Sequence, residues 1–326
     1  MDFVSLFDGM SCGQEALVQL GYTIDRYRAS EIDKYAMKVT KKNHPNTEFI
    51  GKVQDVKITN SPFCLFAGSP CQGFSFAGKQ LNFNDPRSSL FFEFIRIKEE
   101  CNPKWWLLEN VPMKKEFKDI ISKYCGVEPI KINSALVSAQ NRKRWYWTNI
   151  PNITQPEDKE IYLKDVLAWS KSGGKNADGS KRNDHRVRTN GKANTLLTSV
   201  GGNIGNNANW LPNTADKIED FLHTQKAIDY MNRTVKGGRD HWAFKHHSDS
   251  NCSKSAALVA NLFKGVPYNV LLDEDVIRKL TPIECERLQT LPDNYTEGVS
   301  NTQRYKMIGN GWTVDVIAHI LSHIPK

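Results

Sequence analysis

Short apolar runs alternate with turn residues along the first hundred positions of the chain. Residues 3–7 read as an apolar strand, and the glycine-bearing turn Asp8–Gly13 leads into a helical pattern that runs to Leu20. Leu17 and Leu20 share one face of that helix, and Gly21 is placed to stop it. Residues 25–30 predict a second strand ending at Glu31, and Phe49 to Val53 a third that leads to Asp55 and Val56. The unbroken apolar run Phe63–Ala67 suits a short buried strand and ends at Gly68. A helix begins near Leu90, and Trp105–Leu108 is the next buried strand, with Glu109, Asn110 and Val111 at its end. Strand, glycine turn, helix and a strand closed by an acid predict an α/β fold with a Rossmann-like sheet. Such sheets bind ligands outside the carboxyl ends of their strands.

Residues 140–147 alternate as a strand would, with Arg142 and Arg144 on one face and Trp145 and Trp147 on the other. They form either an exposed basic strand or a pair of arginines aimed at a negative substrate. Periodicity fades after about 165, where Gly, Asn, Ser and Lys dominate. The expected organisation is a catalytic and cofactor-binding domain over 1–164 and a smaller, loop-rich recognition domain over 165–295. A segment 296–326 then returns to the first domain. Thr281 is placed as an N-cap and Pro282 as the first helical residue, with Glu284 and Glu286 at the positive end of the helix dipole. The last helix carries Val314, Ile317, Ala318, Leu321 and Ile324 on one face, and that face needs a host.

Charge and cysteine content narrow the setting. The 326 residues carry a net charge of +8, and aromatic residues interleave with Lys and Arg, which suits a polyanionic partner. The 7 cysteines form no CxxC pair, the first residues enter a strand directly, and no apolar run spans a membrane. The expectation is a cytoplasmic protein with reduced thiols and no membrane association. His246 and His247 lack matching ligands at metal-site spacing, so no metal is expected.

Two stretches carry candidate chemistry. Pro70-Cys71 follows a strand end with small residues on both sides, where an attacking thiolate could sit; a buried, inert cysteine in a turn is the other reading. The loop from Gln72 to Ser88 is composed like a cover. The turn Asp8–Gly13 departs from GxGxxG, and Asp8 would repel a pyrophosphate. S-adenosylmethionine, which has no phosphate and carries a sulfonium, suits an acidic turn better.

Taken together, FDGMSCG at 7–13, Glu31, Asp55, GSPCQGFS at 68–75, LLENV at 107–111, QNRKRWYW at 140–147, the run 278–295 and IGNGW at 308–312 stand in a family's order. Over almost its whole length the chain resembles the DNA cytosine-5 methyltransferases, in a compact bacterial or phage form. Gly311-Trp312-Thr313-Val314, Asp25-Arg26-Tyr27 and Tyr295-Thr296 look more like the animal de novo branch, where bacterial relatives usually place Ala or Ser and Val after Gly-Asn.

The resemblance implies an enzyme that moves a methyl group from S-adenosylmethionine to C5 of a flipped-out cytosine in double-stranded DNA. It implies Cys71 as the nucleophile at C6, Glu109 at N3 and the exocyclic amine, and Arg144 with Arg142 orienting the base or adjacent phosphates. Cofactor contacts would come from Phe7, Asp8, Gly9, Gly13, Glu31, Ile32, Asp55, Val56, Pro70, Leu90, Asn310 and Trp312. Substrate contacts would come from Gln72, Ser75, Asn110 and Gln140, with Gln72 a candidate to fill the vacated space. The expected partners are DNA and, in a restriction–modification setting, a cognate restriction endonuclease; the enzyme is expected to be a monomer. A tRNA-directed relative and a catalytically silent DNA-binding protein are the competing readings.

Overall fold

The structure is a computed structural model that describes residues 1–69, 89–167, 254–260 and 279–325, together with the backbone of strands Trp169–Lys175, Lys181–Thr189, Lys192–Ala193, Lys245–Ser248, Asn269–Asp273 and Val276–Lys279. Its centre is a 7-stranded sheet built from β1 (Asp2–Leu6), β2 (Arg26–Ser30), β3 (Glu48–Phe49), β4 (Cys64–Gly68), β5 (Trp105–Asn110), β6 (Ile130–Asn133) and β8 (Lys143–Thr148). The short β7 (Gln140–Asn141) precedes β8 and pairs elsewhere, with Ser255–Ala256. The order is β3-β2-β1-β4-β5-β8-β6, parallel from β3 to β5, with β8 antiparallel to both β5 and β6.

The apolar runs form strands buried on both faces, and their side chains divide by a period of two. Phe3, Cys64, Phe66, Leu107 and Tyr146 belong to the layer shared with α1 (Cys12–Gln19) and the C-terminal helices. Val4, Leu65, Ala67, Leu108 and Trp147 belong to the opposite layer, with Phe91, Phe94 and Ile97 of α3 (Ser89–Cys101) and Ile121 of α4 (Lys115–Cys125). Trp145 leans on that second layer as well, so the tryptophans of β8 share a face as the alternation predicts.

Three expectations about the elements change. The strand after α2 (Lys34–Asn43) is only Glu48–Phe49, and Val53–Asp55 is a turn of 3-10 helix, because Gly51 takes a left-handed φ of 84° that ends the extended run. Leu20 is the exposed C-cap of α1, so Leu17 alone faces the core. The C-terminal part of the chain rejoins the first domain well before residue 296. Leu280, Ile283, Leu288, Leu291 and Tyr295 all lie in the first core layer, and Leu258 does too. The rest of the segment 165–295, and the loop 72–88, lie outside the described residues apart from the strands given above, as do the side chains of His246 and His247.

The chain leaves this domain after α5 (Leu163–Val166), and its exit is tied to its return. Arg287, on the helix Pro282–Leu288, donates from Nη1 to the carbonyls of Val166 and Leu167, each at 3.2 Å, and is held by Asp293 at 2.6 Å. That helix starts as the sequence predicts. Thr281 and Glu284 form a reciprocal capping box with Pro282 in the first turn.

Glu286 on the same helix is fully buried. It accepts from the Asn294 N–H at 2.8 Å, the Thr296 N–H at 2.9 Å, the Thr296 hydroxyl and Arg304 Nη2 at 3.0 Å. One carboxylate thereby folds residues 286–304 around itself. Removing its charge breaks a buried ion pair with Arg304 and disrupts a carboxylate that holds four donors, so Glu286→Gln is expected to lower the unfolding free energy by about 3–5 kcal/mol, measured by urea denaturation.

Candidate active site

Strands β1, β4 and β5 end side by side, and β4 and β5 place Gly68 directly opposite Glu109 in the parallel register. Glu109 also faces Tyr146 across the antiparallel pairing with β8, which puts Arg144 diagonally beside it on the same face. Arg144 Nε lies 2.9 Å from Glu109 Oε1. Trp312, in the corner between the helices Asn301–Asn310 and Val314–Leu321, donates from Nε1 to Glu109 Oε2 at 3.2 Å. Glu109 is only 8% exposed, with one oxygen in an ion pair with Arg144 and the other accepting from the Trp312 indole.

Asn110 closes the end of β5. Its Nδ2 donates to the Ser69 hydroxyl at 3.2 Å and its Oδ1 accepts from the Val111 N–H. Buried and engaged on both sides, Asn110 ties β5 to the residue before Pro70-Cys71; it does not present a free amide to a substrate. Pro70, Cys71, Gln72 and Ser75 lie outside the described residues.

Two further expectations are corrected. Arg142 falls in the break between β7 and β8, so the strand alternation does not reach it. Its guanidinium is 3% exposed and donates to the carbonyls of Leu258 at 2.8 Å, Gly309 at 3.2 Å and Gly311 at 2.8 Å. Burial, with Arg144 next in effect, pushes its pKa down to about 9, and it stays a cation at neutral pH. Arg142 therefore fastens three segments together, which spends its donors within the protein. Gln140 is fully buried, with Nε2 on the Leu288 carbonyl at 3.0 Å and Oε1 on the Leu258 N–H at 2.8 Å, so it too is structural.

The turn after β1 is the second half of the site. Phe7, Gly9 and Ser11 all have left-handed backbone, with φ of 57°, 61° and 62°. For Phe7 that conformation is an outlier and costs on the order of 1–3 kcal/mol. Asp8 anchors the strained turn by accepting from the Tyr27 hydroxyl at 2.8 Å and from the Ser11 hydroxyl. Burial raises the Asp8 pKa, and the Ser11, Ser5 and Tyr27 hydroxyls offset part of that rise. Glu31, at the end of β2, accepts from the N–H groups of Gly9, Ile32 and Asp33, each at 2.7 Å.

Beside this turn Ile32 is 74% exposed, so it is not part of the core, and a Cβ at Gly9 would meet open space. Asp55 and Asn310 are exposed, while Phe7 and Leu90 lean half-buried on the second layer. Val56 is buried in that layer at 2% exposure, so its side chain cannot pack on a ring. Gly13 lies beneath the Trp312 indole, 3.4 Å from where its Cβ would be. An acceptor, an exposed apolar edge and an open glycine turn fit a nucleoside better than a phosphate.

Tyr27, Gly68, Ser69 and Gln289 were not expected to matter. Gln289 supports the Trp312 corner through the Ile308 carbonyl at 2.8 Å and the Thr313 hydroxyl at 2.8 Å. Only Gly68 had a visible signal, as a glycine at the end of a buried strand.

The whole chain, residues 1–326, matches the family described as C-5 cytosine-specific DNA methylase. It is 48% identical over 329 residues to the type II methyltransferase M.Eco47II of Escherichia coli, covering 91% of this chain and 74% of that protein. It is 37% identical over 423 residues to M.HgiCI of Herpetosiphon aurantiacus, covering 100% and 98%. Among solved structures, the Entamoeba histolytica methyltransferase EhMeth superposes with a TM-score of 0.68 at 15% identity, over 99% of this chain and 97% of that one. The S. pombe Dnmt2 methyltransferase does so at 0.65 and 14%, again over 99% and 97%. At such identities these two likenesses speak for the fold alone.

Removing the Arg142 side chain would take this donor from the Leu258 and Gly309 carbonyls and leave the Gly311 carbonyl only its longer bond from Gln289. Arg142→Ala is expected to destabilise the protein by on the order of 3 kcal/mol, measured by urea denaturation.

Proposed function

Since the chain belongs to the C-5 cytosine-specific DNA methylase family, we propose that it methylates C5 of a cytosine in double-stranded DNA, with Cys71 as nucleophile and Glu109 as the group that handles the base edge. The observation that carries this reading is the meeting of Glu109 and Arg144 beside the end of β4, the strand that leads into Pro70-Cys71. The type II relatives favour DNA over RNA as the substrate. They also favour a restriction–modification setting in a bacterial or phage-infected cytoplasm, with a cognate endonuclease as partner; the methyltransferase is proposed to act as a monomer.

Thiol chemistry narrows the nucleophile. Cys12, Cys64, Cys101, Cys125 and Cys285 are all buried. Burial pushes the Cys12 and Cys125 thiols up to about 12 and the Cys101 thiol to about 11, and raises that of Cys64 further above its ordinary value. None of those four supplies a thiolate at neutral pH. Of the remaining cysteines, Cys71 and Cys252, it is Cys71 that follows the strand whose end lies opposite Glu109.

S-adenosylmethionine would supply an electrophilic methyl group. Glu31, Ile32, Asp55, Asn310 and the open turn at Gly9 are the groups suited to hold it, with Phe7, Pro70, Leu90 and Trp312 as apolar walls. The Cys71 thiolate adds to C6, forming a carbon–sulfur bond and sending electron density toward C5 and N3. Glu109 meets that charge at N3, and Arg144 keeps the carboxylate oriented and reaches toward the base oxygen. Once C5 has gained its methyl, its proton leaves to solvent, the C6–sulfur bond breaks and the thiolate returns. Gln72 and Ser75 lie next to Cys71 in sequence, where a residue could fill the space the flipped base leaves.

Duplex DNA carrying 5-fluorocytosine cannot lose the C5 substituent and should trap the wild-type protein covalently. Cys71→Ser should give no adduct, and Glu109→Gln should slow methyl transfer by about 10²- to 10⁴-fold. Absence of any adduct on wild-type protein, with methylated duplex DNA also absent by bisulfite sequencing, would reject the proposal. Preferential methylation of tRNA over duplex DNA would move it to the RNA substrate.

A further inference from the structure

The indole of Trp312 lies where three parts of the site meet. A Cβ built on Gly68 would come 3.0 Å from Nε1, 3.2 Å from Cζ2 and 3.3 Å from Cε2. One built on Gly13 would come 3.4 Å from Cζ3. The ring therefore spans the two glycines, one at the end of the strand leading to Cys71 and one on the cofactor turn. From that seat its N–H reaches Glu109 Oε2. We propose that Trp312 is a positioning residue for Glu109, fixing the carboxylate that handles the cytosine edge. This rests on the role given to Glu109 above.

An indole N–H can only donate, so it stabilises an acceptor and offers nothing to a protonated donor. With Arg144 on Oε1 and Trp312 on Oε2, the carboxylate is pinned from both sides. Its remaining lone pairs stay free for the base edge. A polar hydrogen in the cofactor wall would have no other use at this point.

The support is rigid enough for the task. The Gly311 carbonyl, one residue before the indole, accepts from Arg142 at 2.8 Å and Gln289 at 3.3 Å. One residue after it, the Thr313 hydroxyl is bonded to Gln289 Oε1 and to Ser134, each at 2.8 Å. The Val314 N–H adds a bond to the Gln289 carbonyl at 2.9 Å. A residue held on both sides by buried bonds can set a neighbour's geometry. Where the Gly-Asn turn is followed by Ser or Ala and Val, as in the usual bacterial pattern, no indole is available to do this.

The test is a double-mutant cycle read by single-turnover methyl transfer to duplex DNA at saturating S-adenosylmethionine. Trp312→Phe keeps a ring over Gly68 and Gly13 and removes the N–H. It is expected to slow transfer about tenfold in the wild-type background and less than twofold in Glu109→Gln. The loss should fall on the transfer rate, with the KM for duplex DNA changed less than twofold in Trp312→Phe. Equal slowing in both backgrounds, or a loss carried by KM instead, overturns the positioning role and leaves the methyltransferase reading intact. If Glu109→Gln alone does not slow transfer, the positioning role falls together with the role given to Glu109, while methyl transfer itself stands. Should Trp312→Phe not fold, Gly68→Ala presses the indole from the other side and should give the same Glu109-dependent loss; a loss that persists in Glu109→Gln overturns the role there too.

Discussion

The site rests on a buried cation that meets carbonyls. Arg142 brings its guanidinium to the point where the segment around Leu258, the end of the helix Asn301–Asn310 and the Gly311 turn come together. Each segment presents a carbonyl to it; burial makes that donor matter for Leu258 and Gly309, while the Gly311 carbonyl has a second, longer bond from Gln289. A planar fork with five donors can serve several acceptors at once; a lysine at the same place would have a single rotating ammonium. The approach is close as well. A Cβ on Gly309 would lie 2.3 Å from the Val259 backbone, so glycine there and arginine here are parts of one junction.

That junction explains why the sheet edge was legible in the sequence and the substrate side was less so. Apolar runs with a period of two, glycine turns and strand-end acids are local signals, and β1, β2, β4 and β5 follow them. The first domain's layers follow as well, because a strand buried on both faces needs helices on both. The alternation over 140–147 points Arg142 the same way as Arg144, while Gln140 enters only through the family resemblance. The break between β7 and β8 changes the side on which Arg142 emerges, and partners more than a hundred residues away use it up. Asn110 misled for a related reason, since a strand-end amide can serve a ligand or a neighbouring turn, and here Ser69 takes it. The bond between Trp312 and Glu109 joins residues 203 apart and depends on the register that sets Gly68 beside Glu109, which no local pattern carries.

The two halves of the site use opposite physics. Around Glu109 the groups are rigid because opposite charges and buried donors hold them. Around Asp8 the backbone is held against its own preference, with Phe7 and Ser11 in a region that glycine would occupy freely. Hydroxyls from Tyr27 and Ser11 fasten the strained turn through one carboxylate, and Glu31 gathers the N–H groups that the turn leaves exposed. A turn fixed in this way loses little freedom when a small molecule settles on it, which favours binding without a large rearrangement.

The Arg287 clasp bears on how such a protein can diversify. Arg287 holds the chain where it leaves the first domain, at Val166 and Leu167, against the helix by which it comes back. The chain also touches the scaffold partway, at Ser255–Ala256 paired with β7 and at Leu258 in the core, so the stretches on either side of that point have their ends fixed on it. For a loop closed in that manner, doubling its length costs only about 0.6 kcal/mol of closure entropy. Recognition segments of very different size can then be exchanged between the same anchor points while the chemistry at the sheet edge is left undisturbed.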